Sequence, residues 1–367
     1  MLSEKAHNTV KACRYCWMCR HLCPIGLKTG CESNTPRAKG LLLDFVEGGK
    51  SYSLEMAEDM FACCLCGACA SGCETGFDPR IFIREARTKA IVEDVVPANL
   101  QVMIDSLLAN GNMFGFPASA KAASLAGYAK DKAEVILYVG ETAAFFTPQI
   151  VEAVAKLLKE AGDDFAVLKD EPQSGAELGD LIGYVEETAD RGRELADRIA
   201  KSDAKTVVVL DPNCAKVIKQ EYPQWGCEVK AQVVTATSYL AQLVAGGKLK
   251  PSKLDLTGVT YHDSDRLARD LDETEPARTL FSAMGISVKE MFLNKQTTRS
   301  CGDAALKAHS PKIAALTAEG RWEDVEHCGA KILVTACPAC YTILGENVPK
   351  GYQLKDLFVL LAESCGL

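Results

Sequence analysis

Two short stretches carry the chemistry of this sequence. "CRYCWMCRHLCP", residues 13–24, sets Cys13, Cys16, Cys19 and Cys23 at intervals of three, three and four residues ahead of Pro24, and "CCLCGACASGC" repeats that spacing with Cys63, Cys66, Cys69 and Cys73. Three cysteines at every third residue wrap a turn of chain around one iron-sulfur cubane, and the fourth, a few residues on, reaches the neighbouring cluster. The expected ligand sets are therefore Cys13, Cys16 and Cys19 with Cys73, and Cys63, Cys66 and Cys69 with Cys23. Zinc is the competing ion, but a structural zinc takes four ligands, commonly as two well-separated pairs. Two matching runs of four cysteines fit two [4Fe-4S] clusters better. Gly67 and Ala68 let amides approach cluster sulfur, a lever on reduction potential. Pro24, which has no amide hydrogen, turns the chain away after Cys23. Outside the spacing, Cys64 is expected to pack as a small apolar residue and Cys31 to be a loop thiol.

The chain that must position these thiols has 367 residues, enough for two or three domains. Hydrophobic residues make up 48% and charged residues 25%, the composition of a soluble globular protein. Its net charge is −8, and the imbalance lies wholly beyond residue 100, since residues 1–100 hold 12 basic and 12 acidic side chains. An acidic chain without a Lys/Arg cluster does not bind nucleic acid well, because phosphate contacts dominate that affinity. No apolar leader opens the sequence and no stretch has the roughly 18–20 apolar residues of a membrane span, so a cytoplasmic protein is expected, membrane-associated only through a partner. Disulfides are rare in that compartment. With ten of the 17 cysteines between Cys13 and Cys73, metal ligation is the better reading of the cluster.

The two runs, joined by "TGCESNTPRAKGLLLDFVEGG" and followed by "GFDPRIFIREARTKAI", resemble the iron-sulfur subunits of glycolate, lactate and glycerol-3-phosphate dehydrogenases and the related heterodisulfide reductase subunits. The specific resemblance covers about residues 8–95. Helical periodicity follows over 79–96, from Ala98 toward Asn110 and over roughly 118–128. From residue 134 short apolar runs alternate with amphipathic segments: "EVILYVG", a helix in "TPQIVEAVAKLLKEAG", "FAVL", a long helix over 176–201, and "TVVVL". That alternation predicts an α/β layer with a mostly parallel sheet. It also repeats. "AKTVVVLDPNCAKVIKQEYP" (204–223) aligns without gaps on "AKILVTACPACYTILGENVP" (330–349), and "QSG" (173–175) with "SCG" (300–302) and "LYVGE" (137–141) with "YHDSD" (261–265) fall at nearly the same offset.

These units are similar to the cysteine-rich CCG repeats of the same family, in which a lone cysteine, a Cys-Cys-Gly and a Cys-Pro-x-Cys together bind an iron-sulfur centre. The first copy departs from that pattern, with Glu141, Gln173, Ser174 and Asp211 at four of the five positions and only Cys214 kept, so no cluster is expected there. The second keeps Cys301, Cys337 and Cys340, while Asp265 and Ser300 replace two cysteines. Two readings stay open. Either these thiols, with Asp265, Ser300 or His262 at an unusual corner, hold a third centre, or they are buried remnants in a packing module. The helix expected after "KILVTAC" would favour anionic sulfur at its N-terminus. His7, His21, His309 and His327 form no pattern, Cys227, Cys328 and Cys365 read as ordinary thiols, and no Gly-x-Gly-x-x-Gly or Walker loop is present.

The expected fold is a multidomain α+β and α/β chain: a helical bacterial-type two-cluster ferredoxin domain (1–97), a helical connector (98–133), and two repeated CCG-like α/β units (134–250 and 251–367). Two cubanes without a substrate-site signature amount to a wire. The resemblance implies an electron-transfer subunit that draws electrons from a flavin-containing dehydrogenase and delivers them to a quinone pool, a flavoprotein or ferredoxin. Its rivals are a catalytic subunit of the heterodisulfide reductase kind and a redox-sensing scaffold.

Overall fold

The computed structural model describes residues 2–367. The first hundred residues are helical because each short apolar-periodic segment has its own start signal. Ser3, Thr35, Ser53 and Asp78 accept backbone amides at the entrances of helices Glu4–Lys11, Pro36–Glu47, Leu54–Phe61 and Pro79–Val92, which satisfies donors that a helix leaves unpaired. Pro36 and Pro79 occupy first-turn positions, where the missing amide costs nothing. Their apolar faces close around Leu43, Met60, Phe61, Phe82 and Ile83, all fully buried, each contributing about 1.5–3 kcal/mol. Helices Ala98–Asn110 and Ala176–Ile182 add Leu100, Leu107, Leu178 and Leu181 to the same core. The cysteine-bearing part is thus built onto segments from far along the chain.

Beyond it lie two parallel sheets. Strands β1 (Ala129–Lys130), β2 (Val135–Tyr138), β3 (Phe165–Leu168), β4 (Thr206–Val209) and β5 (Gln232–Thr235) form the first, in the order β1-β3-β2-β4-β5. Strands β6 (Val259–His262), β7 (Ile332–Thr335) and β8 (Gln353–Asp356) form the second, in the order β6-β7-β8. Register pairs Tyr138 with Val209 and His262 with Thr335, so Glu141, Asp211, Asp265 and Cys337 all follow the carboxyl ends of strands, where open α/β sheets hold ligands. One apolar core serves both sheets, uniting Leu137 and Val208 with Tyr261, Val334, Phe281 and Phe358.

Three expectations are corrected. The long helix over 176–201 is two helices, Ala176–Ile182 and Glu186–Lys201. Gly183, at φ 89°, turns the chain between them, and a Cβ there would meet Thr88 Oγ1 at 2.3 Å. Pro24 does not simply deflect the chain: it opens helix Pro24–Thr29, with Cys23 Sγ accepting the Gly26 amide at 3.3 Å. The helix expected over 79–96 ends at Val92.

Buried arginines join the two parts. Arg87, fully buried, donates to the carbonyls of Met60, Cys63 and Asp180, while Arg84 and Arg266 pair with the Asp180 carboxylate at 3.2 and 3.0 Å. Replacing Arg87 by leucine strands those carbonyls without donors. Arg87→Leu is expected to destabilise the chain by about 3 kcal/mol or more, read as an earlier urea midpoint for loss of tertiary structure. A second expectation concerns pH. Asp356 caps helix Leu357–Ser364 through Oδ1, leaves Oδ2 unpartnered, and is pushed by burial up to about 7. The folded chain keeps a proton that the unfolded chain has lost, so this group lowers stability as pH rises from about 4 to above 7. Asp356→Asn keeps the cap and should flatten that part of the pH–stability curve.

Candidate metal centres

Cys13, Cys16, Cys19 and Cys73 line one cavity of about 320 Å³, walled by Trp17, Arg37 and Phe77. The chain reaches this arrangement through left-handed backbone at Tyr15 (φ 54°) and Trp17 (φ 69°), a conformation costing non-glycine residues on the order of 1 kcal/mol. The turn aims the Tyr15 amide at Cys13 Sγ, 3.5 Å away. Arg37 stacks on the Trp17 ring at 3.6 Å. Burial, followed by the charges of Cys13, Cys16 and Cys73, pushes the Cys19 thiol up.

Cys23, Cys63, Cys66 and Cys69 line a second, smaller cavity with Ile25, Pro79 and Ile83. The backbone takes the same course at equivalent positions, with Leu65 at φ 50° and Gly67 at φ 73°, and the Leu65 amide lies 3.4 Å from Cys63 Sγ. Gly67 is glycine for a further reason: a Cβ would lie 2.7 Å from Nη1 of Arg80. The loop's carbonyls face outward onto arginines, Cys63 O onto Arg87 at 2.6 Å, Leu65 O onto Arg266 at 3.1 Å and Cys66 O onto Arg269 at 2.7 Å. Burial pushes Cys23 up to about 12, while the neighbouring Cys64 thiol, and then the charge of Arg269, draw Cys66 down to about 7. Four thiols on one cavity, crossed between the two runs, with amides turned inward, suit a cubane, whose iron supplies the positive charge that mutually repelling thiolates need.

Candidate residues beyond the carboxyl ends of the second sheet also converge. The sulfurs of Cys301 and Cys340 and a ring nitrogen of His262 lie within 4.8 Å of one another, all buried. Cys337 caps helix Pro338–Gly345, its sulfur accepting the Cys340 amide at 3.3 Å. Cys337, Cys340, Ser264 and Asp265 share a cavity of about 100 Å³. Burial pushes the Asp265 carboxyl up. His262 is held well below its ordinary pKa by burial and by Arg321, whose Nε donates to Nδ1 at 3.0 Å. The proton of this neutral ring therefore sits on Nε2, which counts against the imidazole as a ligand. Beside the first sheet Ser174 donates to Cys214 Sγ at 3.1 Å, and Glu177, Asp211 and Cys214 cluster within 4.8 Å. Burial raises both carboxyls, and Glu141 goes up to about 7. Gln173 instead ties to Leu107 O at 2.8 Å.

Two features escape the sequence reading. Arg266 and Arg269 lie on one π-helical turn, Arg266–Asp270, and reach across to the second cysteine loop; their spacing after "HDSD" is the available signal. Cys64 is buried as expected, yet its thiol donates to Ser300 Oγ at 3.6 Å. Cys31 is an exposed thiol beside Ser33, as a loop residue would be.

Residues 12–78 match the 4Fe-4S dicluster domain and residues 259–345 the cysteine-rich domain known as CCG. The chain is similar to one subunit of the dihydromethanophenazine:CoB–CoM heterodisulfide reductase of Methanosarcina barkeri, 27% identical over 97% of this chain and 94% of that protein. It is similar to a probable iron-sulfur-binding oxidoreductase of Bacillus subtilis at 26% identity, over 84% of this chain and 46% of that protein. It also matches the EtfAB:quinone oxidoreductase of Syntrophomonas wolfei at 25% identity, over 81% of this chain and 44% of that protein. The chain thus carries a match to a dicluster domain and a match to a cysteine-rich domain, and is similar along nearly its whole length to that heterodisulfide reductase subunit and over most of its length to other iron-sulfur oxidoreductases.

Proposed function

We propose that the chain is the iron-sulfur electron-transfer subunit of a multi-subunit oxidoreductase, taking electrons from a flavin-containing dehydrogenase and delivering them to a quinone, a flavoprotein or ferredoxin. The observation that carries this reading is the pair of cavities, each lined by four of the eight regularly spaced cysteines, three from one run and one from the other. Cys13, Cys16, Cys19 and Cys73 are assigned to one [4Fe-4S] cluster, and Cys63, Cys66, Cys69 and Cys23 to the other. Bound there, each cubane supplies one-electron redox chemistry, dividing the two electrons of a flavin hydride into single steps. The chain's residues supply the access. Around the first cavity Tyr15, Trp17 and Met18 are 48%, 43% and 53% exposed, an apolar rim beside Arg14 and Arg20 where a partner can dock. Arginines on the carbonyls of the second loop stabilise the more negative state there.

The α/β part is read as two CCG-like units, the first degenerate and serving for packing and docking. In the second, Cys301, Cys337 and Cys340, with Asp265 nearby, are assigned to a third iron-sulfur centre. A catalytic role in disulfide reduction draws support from the near full-length match to the heterodisulfide reductase subunit. Against it, Ser300 and Asp265 stand where that site's other thiols would be. Among the described residues no helix is long and apolar enough to cross a membrane, so contact with a quinone pool falls to a partner.

Anaerobic purification with iron and sulfide counts and electron paramagnetic resonance tests the assignment. About twelve irons per chain are expected, two interacting cubane signals and a further signal altered by Cys337→Ser. About eight irons would leave the first two clusters as the whole inventory, and a chain whose clusters no donor reduces would overturn the relay. The crossed ligand sets predict that Cys73→Ser perturbs the signal that Cys16→Ser perturbs, and Cys23→Ser the signal that Cys66→Ser perturbs. Pairing within each run instead would sink the crossed assignment.

A further inference from the structure

We propose that Cys64 is a ligand of the second-repeat centre, so that two adjacent residues, Cys63 and Cys64, hold two neighbouring centres. The inference rests on the reading of a third centre at Cys301, Cys337 and Cys340. That set is short of thiolates, and the structure brings another thiol to the gap. Cys64 lies on the walls of two cavities at once, the one lined by Cys23, Cys63, Cys66 and Cys69 and the one lined by Cys337, Cys340 and Asp265. Its sulfur is 3.6 Å from Ser300 Oγ, and Ser300 is the residue that stands where the Cys-Cys-Gly motif has its first cysteine. A sulfur from the ferredoxin part therefore sits beside the position from which the repeat has lost one.

The backbone explains why this residue and no other reaches across. Left-handed turns at equivalent positions give the two cysteine loops the same course. The residue after the first cysteine is Arg14 in one loop, exposed to solvent, and Cys64 in the other, 3% exposed and facing the second repeat. Packing alone is the simpler account, since Ile25, Leu306 and Ala314 surround Cys64. That account leaves the polar side unexplained. Ser264, 1% exposed, lines the shared cavity with its hydroxyl unpartnered, and the buried His262 Nε2 is also without a partner. An apolar filler would not need an unsatisfied hydroxyl on its cavity wall, whereas a centre with bridging sulfides, held by Cys301 and Cys340 beside His262, offers acceptors to both. On ligation the thiol proton is released as the S–Fe bond forms, as for any thiolate ligand, and the contact to Ser300 is given up.

The test uses the full chain purified without oxygen, with iron and sulfide counts and electron paramagnetic resonance of oxidised and reduced forms. Cys64→Ala should lower the iron content by about four per chain, or shift the additional signal, while both cubane signals remain and show that the chain has folded. Cys64→Ala combined with Ser300→Cys should restore the lost iron, because the thiolate returns from the repeat's own side. If Cys64→Ala leaves iron content and the additional signal unchanged while Cys337→Ser abolishes that signal, the third centre stands and the role of Cys64 falls. If the unaltered chain holds only about eight irons, both readings fall together.

Discussion

Everything in this molecule is organised around the difficulty of collecting negative sulfur inside protein. Burial raises the pKa of thiols gathered on one cavity, and their mutual repulsion adds to that, as at Cys23 and Cys69. The second loop answers with geometry. Its Leu65 amide turns inward onto Cys63 Sγ, and its carbonyls turn outward onto Arg87, Arg266 and Arg269. Each arginine thereby does two things: it satisfies a buried carbonyl and lends positive charge to the loop. Only Arg87 comes from the helical part. The other two come from the π-helical turn that follows β6, which makes the α/β part a component of the metal site's wall as well as its neighbour.

Joining distant segments this way explains why domain borders drawn along the chain blur in three dimensions. Leu178 and Leu181, which the alternating pattern assigns to an α/β layer, complete the core of the cysteine-rich helical part. Asp180, on the same short helix, accepts from Arg84 and Arg266, one from each side of the seam. The two sheets in turn share an apolar core and present their carboxyl ends to one cavity, lined by Asp211 from one and by Ser264, Asp265 and Cys337 from the other.

The sequence was most legible where chemistry depends on local spacing. The eight cysteines at three, three and four residues and the helix expected after "KILVTAC" are properties of short windows, and the backbone repeats its course in both cysteine loops and opens that helix at Pro338. Legibility failed where the cause is a contact between distant residues. Gly183 breaks a helix that amphipathic periodicity carries through it, because the loop there must clear Thr88 and Arg84. Arg266 and Arg269 look like ordinary surface charge until the seam buries their targets. His262 reads as part of a ligand set by residue type, yet Arg321, 59 residues away, fixes its tautomer. Cys64 reads as filler because nothing within the run tells which way it faces.

The graded exposure of the cysteine-lined cavities has a consequence for the solvent around them. The first cavity opens beside exposed Tyr15, Cys16, Trp17 and Met18, whereas Cys64, Cys66, Cys301, Cys337 and Cys340 are all buried. Water near the rim must reorient whenever charge changes there, and the fixed dipoles and arginines around the inner cavities need not. Charge arriving at the surface therefore meets its largest rearrangement at the first site, and the interior beyond it responds as a stiff, pre-polarised medium.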